Sequence, residues 1–417
     1  MTPFTSCCTS SARHTRLCIR PTEGWLGSST AAASAVAQAP AAEEVGSYAV
    51  FNEPAPGGGE RDFAVQDSLI ELIEDTASGE TIYDSMFSFS QTPVAEALSD
   101  AQARGVHVRL AIDGQTDDPD NAAQNILKDA DLDELVYCSG ANDSTSCIGT
   151  VGGINHNKMF AFSQSGDRSD VVWVASQNLT NFQGLLYNNA VVHFGRPGLY
   201  QAFEKHMGHM LAQDKDNDYY NSDAGSYIEP DGEVEVHMSP RADSSGGTEP
   251  EAETDTIAEL LSTVEFEQGC RIDVTQAYFT GTRTAIHDEL IRLGAAGCDV
   301  RIVYGDSLSQ ATYDYLHGKP GVTMRGFYDG SDPDNYVTIH SKIFTIHALV
   351  DGKHQDLVLS GSHNVNQPAL RLNDEILLVT RQADIAEAFD DNFAHLWENA
   401  VCTNAPEKMP CTIDADS

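Results

Sequence analysis

Two short strings of this 417-residue chain carry the same side-chain set. The first is Ile154-Asn155-His156-Asn157-Lys158-Met159-Phe160 and the second is Thr338-Ile339-His340-Ser341-Lys342-Ile343-Phe344. Each is followed by a Ser-x-Asn string, Ser176-Gln177-Asn178 and Ser362-His363-Asn364, starting 20 residues after the first histidine and 22 after the second. Side chains alternate along an extended strand, so residues i and i+2 share a face. His156 then points with Lys158, Ser176 with Asn178, His340 with Lys342, and Ser362 with Asn364. Two such faces brought together would converge two histidines, two lysines, two asparagines and two serines. That set suits a phosphodiester. Ammonium, amide and hydroxyl groups hold non-bridging oxygens and stabilise charge gathering on phosphorus. A neutral histidine can attack phosphorus, and a second can protonate the leaving oxygen and later activate water. One His-x-Lys is usually only an exposed strand. Two in matching places, in a chain holding only eight lysines, point to chemistry.

The elements that must position these residues are also written twice. Tyr48–Pro54 and Val234–Pro240 each look like an opening strand stopped at a proline. Apolar residues at helical spacing follow over 63–76 and 256–266. Strand-like Thr81–Phe89 matches Arg271–Phe279, and helical Val94–Arg104 matches Thr284–Ala296. Val106–Ile112 matches Cys298–Val303, where His-Val-Arg-Leu aligns with Asp-Val-Arg-Ile. Strands alternating with helices predict βαβ units and a mainly parallel sheet. A period near 186 residues is too long for a solenoid and means a duplicated domain. The fold class expected is α/β, a duplicated α-β-α sandwich. Its boundaries are a first lobe over 46–212, an acidic linker over 213–232, a second lobe over 233–402 and a tail over 403–417. Asp, Glu, Ser and Gly stay dense as far as Asp255, which reads as solvated connector.

The chain carries 24 Lys+Arg against 63 Asp+Glu, a formal net charge of −39. A broad basic surface for nucleic acid is therefore excluded, and long-range steering toward polyanions would be repulsive. Positive charge for a phosphate must be local and shielded. Residues 1–40 differ from the rest: Arg13, Arg16 and Arg20 precede a small-residue apolar run with Ala35-Val36-Ala37 as a cleavage candidate, the order of a secretory leader. Outside that segment, with its Cys7, Cys8 and Cys18, six cysteines remain. Proximity suggests Cys138 with Cys147, Cys270 with Cys298 and Cys402 with Cys411, which implies an oxidising compartment and a secreted protein.

With these motifs in view, the chain resembles the phospholipase D superfamily, whose signature is His-x-Lys-x4-Asp followed by Gly-Ser-x-Asn, present twice. The resemblance spans about residues 46–400. It implies two lobes with a shared active site at their interface, a phosphohistidine intermediate, and no cofactor or metal. Carried over position by position, it assigns catalytic roles to His156, Lys158, Asn178, His340, Lys342, Asn364 and Glu375, and substrate binding to Ser176 and Ser362. The chain departs from the pattern at three places. Ser163 and His347 stand where the aspartates belong, Ala175 replaces one glycine while Gly361 keeps the other, and the first-copy counterpart of Glu375 is read as Asn189. A carboxylate beside a histidine favours imidazolium. Glu375 is therefore expected beside His340, making His340 the general acid and leaving His156 as the nucleophile. The contrary reading has Glu375 orient the nucleophile by fixing its tautomer.

The leading expectation is a phosphodiesterase of phospholipase D type, cleaving or transferring the head group of a phospholipid or related small diester. The alternatives are a nuclease of the same superfamily and a non-catalytic phosphate- or lipid-binding relative. No extended nucleic-acid surface is expected. Transient membrane-surface contact fits a lipid substrate, and two internal copies make a monomer sufficient. Asp214–Asp218 starts like a calcium loop, but Tyr219 and Gly225 stand where its Gly and Glu belong, so it reads as linker. Tyr278 and Phe279 are left open between core and substrate contact.

Overall fold

The computed structural model describes residues 45–55, 60–329 and 337–400, with the backbone of 402–403. The expected leader over 1–40, the Cys402–Cys411 pair and the tail beyond 403 lie outside the described residues. The first copy runs β1 (Gly46–Asn52), α1 (Ala64–Glu74), β2 (Thr81–Met86), α2 (Thr92–Arg104), β3 (His107–Asp113), α3 (Ala122–Asp129), β4 (Glu134–Cys138), β5 (Lys158–Ser165), β6 (Arg168–Ala175), β7 (Leu186–Phe194) and α4 (Pro197–Ala212). After β8 (Ser226–Ile228), the second copy runs β9 (Val234–Ser239), α5 (Thr256–Ser262), β10 (Val264–Glu265), β11 (Arg271–Phe279), α6 (Thr284–Ala296), β12 (Asp299–Leu308), α7 (Gln310–Leu316) and β13 (Val322–Gly326). It continues with β14 (Tyr328–Asp329), β15 (Val337–Ile339), β16 (Lys342–Val350), β17 (Lys353–Gly361), α8 (Gln367–Arg371), β18 (Glu375–Thr380), α9 (Ala383–Asn399) and β19 (Cys402–Thr403).

The duplication is visible in strand order. The first sheet contains β7-β6-β5-β2-β3-β4 with β1 on β7, and the second contains β13-β12-β11-β16-β17-β18-β9-β8. Each is a mixed sheet, which corrects the mainly parallel expectation. β2, β3 and β4 are parallel, whereas β5, β6, β7 and β1 join antiparallel. The cause lies in two-residue turns, Gly166-Asp167 between β5 and β6 and Asp351-Gly352 between β16 and β17, which close hairpins where a βαβ crossover would need a dozen residues or more.

Three large apolar clusters follow from these faces. In α1, Val65, Leu69, Leu72 and Ile73 are buried at helical spacing and pack with α2 on one face of the first sheet. The same role in the second copy falls to Ile257 and Leu261 of α5 with Ile286, Leu290 and Leu293 of α6. The third cluster joins the copies. Met159, Val174 and Val191 of the first sheet and Ile343, Val358 and Ile376 of the second share one core with Phe203, Met207 and Met210 of α4 and Ile385 and Phe389 of α9. Each such side chain contributes about 1.5–3 kcal/mol on burial, so the seam is as much a core as either lobe's own.

The acidic stretch over 213–232 is built into the fold. β8 pairs with β9, and Gln213, Lys215 and Asn217 hydrogen-bond to the loop between β4 and β5. Disulfides Cys138–Cys147 and Cys270–Cys298 are present. Among the described residues no helix is long and apolar enough to cross a membrane.

Candidate active site

The motif histidines and asparagines lie just outside the strands, not on them. β5 begins at Lys158 and β16 at Lys342, while β6 ends at Ala175 and β17 at Gly361. The strands fix the lysines rigidly, and the residues before and after them turn inward at the seam. Lys158 is fully buried and Lys342 nearly so, and each ammonium donates to the carbonyl of its own histidine, Lys158 Nζ to His156 O at 2.5 Å. Asn178 and Asn364 are both buried with an Oδ1 that has no hydrogen-bond partner.

Each histidine is held from the opposite lobe. His156 Nδ1 lies 2.8 Å from Glu375 Oε2, and His340 Nδ1 lies 3.0 Å from Asn188 Oδ1. Lys342 Nζ also stands 3.2 Å from His340 Nδ1. The backbone of Ser362 faces the His156 ring, and that of Ser176 faces the His340 ring. Glu375 therefore serves the histidine of the other copy, which overturns the expected Glu375–His340 contact. The counterpart of Glu375 is also corrected, from Asn189 to Asn188. Ser176 N bonds to Asn189 O in the way that Ser362 N bonds to Ile376 O, so Asn188 matches Glu375. The matched residue stands ten residues after Asn178 in the first copy and eleven after Asn364 in the second. A one-residue slip moves a side chain to the other face of a strand, and counting from Asn178 lands on that other face.

The acceptors are themselves fixed. Asn188 Nδ2 donates to Gln183 O, Gln183 Oε1 and Leu186 O, which leaves its Oδ1 to accept from Ser176 Oγ at 3.0 Å and from His340. Asn373 Nδ2 donates to Glu375 Oε1 at 3.1 Å, and Ser362 also hydrogen-bonds Glu375. Both motif serines thus turn their hydroxyls toward the residues that orient the histidines. His363, inside the second motif, bonds Arg283 Nη1 at 3.1 Å, and Arg283 is locked on Asp255 by two contacts of 2.6 and 2.8 Å. Phe87 is half-buried, with its ring 5.1 Å from the His156 ring and 5.2 Å from Lys158 Nζ.

Burial and crowded positive charge set the protonation states. Burial first, then Lys158 and Lys342, hold His156 well below the ordinary imidazole range; burial and the same lysines do so for His340. Lys158 is pushed down to about 7 by burial, against the pull of Glu375 and Asp113. Lys342 is likewise held well below its usual value by burial and by Lys158, against the pull of Glu375. Burial raises the Glu375 carboxyl, while His363 and Lys158 pull it back. With neutral rings, Nδ1–H donates to Glu375 or Asn188, and no described side chain bonds either Nε2. Burial thus works against the charge on both lysines in the free protein, and a bound anion would favour it.

The departures from the motif lie away from this centre. Ser163 and His347 sit five residues along their strands from the lysines, about 17 Å at strand rise. Ser163 bonds Glu80 Oε2, and His347 bonds Asp356 and Asp390. Phe279 is buried in the core and Tyr278 is 46% exposed. Asn188, Asp374 and Arg283 were not found from the motifs. Asn188 would have been found from strand register; Asp374 and Arg283 act across elements and left no local pattern.

A family model described as "Cardiolipin synthase, PLD-like domain" matches the chain over residues 69–211 and 267–397, once per lobe. No curated protein matches. Among solved structures, phosphatidylserine synthase from Haemophilus influenzae superposes with a TM-score of 0.54 at 15% identity, covering 84% of this chain and 86% of that one. Polyphosphate kinase from Porphyromonas gingivalis superposes with a TM-score of 0.52 at 11% identity over 84% of this chain, which spans 50% of that longer protein. Two matched copies, a two-lobed fold and a seam carrying both His-x-Lys motifs lead to one conclusion: the chain belongs to the phospholipase D superfamily, a family of phosphodiester-acting enzymes.

Proposed function

We propose that this protein is a phosphodiesterase of phospholipase D type that acts on the head-group ester of a phospholipid or a related small diester. The observation that carries this reading is the crossed pair of contacts, Glu375 on His156 and Asn188 on His340, which occupies both Nδ1 atoms and, among the described residues, leaves both Nε2 atoms without a side-chain partner at one seam beside two lysines. In the first step His156 Nε2 attacks phosphorus. The N–P bond forms, the P–O bond breaks, and the leaving oxygen takes a proton from His340. Positive charge grows on the attacking imidazole, and the Glu375 carboxylate stabilises it while fixing the tautomer. His340, neutral in the free protein and held by a neutral amide, takes up a proton from solvent when the diester anion binds and offsets the lysine field, and this is the proton it gives to the leaving oxygen. Lys158, Lys342, Asn178 and Asn364 hold the non-bridging oxygens. In the second step water gives a proton to His340 and attacks phosphorus, which releases His156. An alcohol in place of water gives transfer.

His156 keeps the nucleophile's role expected from the motifs, for the contrary reason: its carboxylate partner supports it. Two disulfides support an oxidising compartment, and we infer secretion from them together with the leader-like composition of residues 1–40. A panel tests the function. With chelator present, the protein should release head group from short-chain phosphatidylcholine and cleave an aryl phosphodiester, and His156→Ala should do neither. Cleavage of single-stranded DNA alone would favour a nuclease. Binding without turnover of any of the three would favour a non-catalytic relative.

A further inference from the structure

Asp374 is fully buried, and its carboxylate grips the loop between β4 and β5, which belongs to the opposite lobe. It accepts from Cys147 N at 2.6 Å, from Ile148 N and Gly149 N at 3.1 Å each, and from Ser146 Oγ. On either side of this grip the backbones pair, Asp374 N to Ile154 O and His156 N to Asp374 O, both at 3.0 Å. The same residue thus binds the middle of the loop with its side chain and the end with its main chain. The loop closes on Leu372 so tightly that a Cβ on Gly149 or Gly153 would stand 2.1 or 2.0 Å from Leu372 O. From behind, Lys215 Nζ donates to Ser146 O at 2.6 Å and Asp216 N to Ile148 O at 3.0 Å. The Cys138–Cys147 disulfide anchors the loop to β4. His156 is the last residue but one of the loop, and the residue after Asp374 is Glu375.

We propose that Asp374 is a positioning residue whose grip on Ser146–Gly149 sets the separation between His156 and Glu375. Its side chain touches neither histidine. It acts by seating the loop that carries one partner on the strand that carries the other. A carboxylate suits this because three N–H groups and one hydroxyl converge on it, and charged acceptors make the stronger bonds. An amide presents one acceptor oxygen to the same four donors. In the first lobe the matching main-chain partner is Tyr187, whose carbonyl accepts from His340 N at 2.9 Å. There the side chain is a phenol ring in a core, its hydroxyl donating to Pro54 O, so His340 is seated without a charged grip.

The kinetic arm of the test rests on the proposed reaction, and a spectroscopic arm does not. Asp374→Asn should lower kcat about 10- to 100-fold with KM little changed. The double variant Asp374→Asn/Glu375→Gln should be no slower than Glu375→Gln alone, because both changes break one contact. In the 15N-labelled full chain, the His156 Nδ1–H resonance, assigned by its loss in His156→Ala, should weaken in Asp374→Asn. Ser146→Ala removes one donor only and carries the same test with a smaller effect, about 3- to 10-fold, if Asp374→Asn does not fold. Additive losses in the double variant, or an unchanged His156 resonance in a folded Asp374 or Ser146 variant, would overturn the proposal. A wild-type protein that turns over no phosphodiester would sink the proposed function and leave the resonance to decide the role of Asp374.

Discussion

Glu375 and Asn188 hold matching places and differ in charge, and in the proposed reaction that difference divides the work between the two histidines. Replacing Glu375 by Gln keeps the shape and removes the charge that stabilises the attacking imidazole. The expected loss in kcat is about 10²- to 10⁴-fold, and Asn188→Ala should cost less, because a neutral acceptor is lost. Rapid-quench measurement of phosphoenzyme formation against its breakdown separates the two. The lysines give a pH prediction. Lys158 titrates near 7 in the free protein, below the ordinary lysine value, and only its ammonium form holds phosphate oxygens. As pH rises through 7 that form is lost, so kcat/KM should fall about tenfold per unit above it. The limb on kcat should lie at higher pH, because bound phosphate restores the ammonium. At this scale the motifs were readable, since histidine, lysine and asparagine recur in both copies. The acceptor that each histidine meets was not readable, because it comes from the other copy and one residue of loop length decides which side chain points inward.

Strand β2 shows how the two copies diverged within one frame. Asp84 pairs with Leu110 and Phe160 and is fully buried with neither carboxyl oxygen bonded, whereas the matching position in β11 is Val274, opposite Phe344. Burial raises the Asp84 carboxyl well above its usual range. Stability tied to this group is therefore whole below about pH 3.8 and is lost as pH climbs toward the raised folded value. Asp84→Val should stabilise the protein by about 1–3 kcal/mol at neutral pH, and the gain over wild type should widen from pH 5 to pH 8 in urea melts. An equal gain at both pH values would show that the carboxyl does not titrate in the fold. The order of strands and helices was readable from period and repeat. The hairpins that make the sheet mixed rest on two-residue turns, Gly166-Asp167 and Asp351-Gly352, which a strand–helix alternation does not reveal. The loop over 139–157 was passed over because its contacts lie in Asp113, Asp374 and the 213–217 stretch, all distant in sequence.

The whole molecule places a small cationic seam inside a strongly acidic shell. A chain of net charge −39 repels anionic substrates at long range, and salt shortens that reach from about 30 Å at 0.01 M to about 8 Å at 0.15 M. For an anionic diester, kcat/KM should therefore rise about 2- to 10-fold over that salt range, and a neutral triester analogue should show no such rise in binding. Because α4 and α9 share one core with both sheets, and each histidine needs an acceptor from the other lobe, neither copy expressed alone should be active. The measurement that bears most directly on the central claim is chemical trapping of the intermediate. After a brief reaction with a 32P-labelled phosphodiester, denaturation at alkaline pH and peptide mapping, the label should sit on the peptide holding His156, should be absent in His156→Ala, and should accumulate in His340→Ala with a substrate carrying a good leaving group. Label on His340, or turnover with no phosphohistidine at either position, would contradict the account.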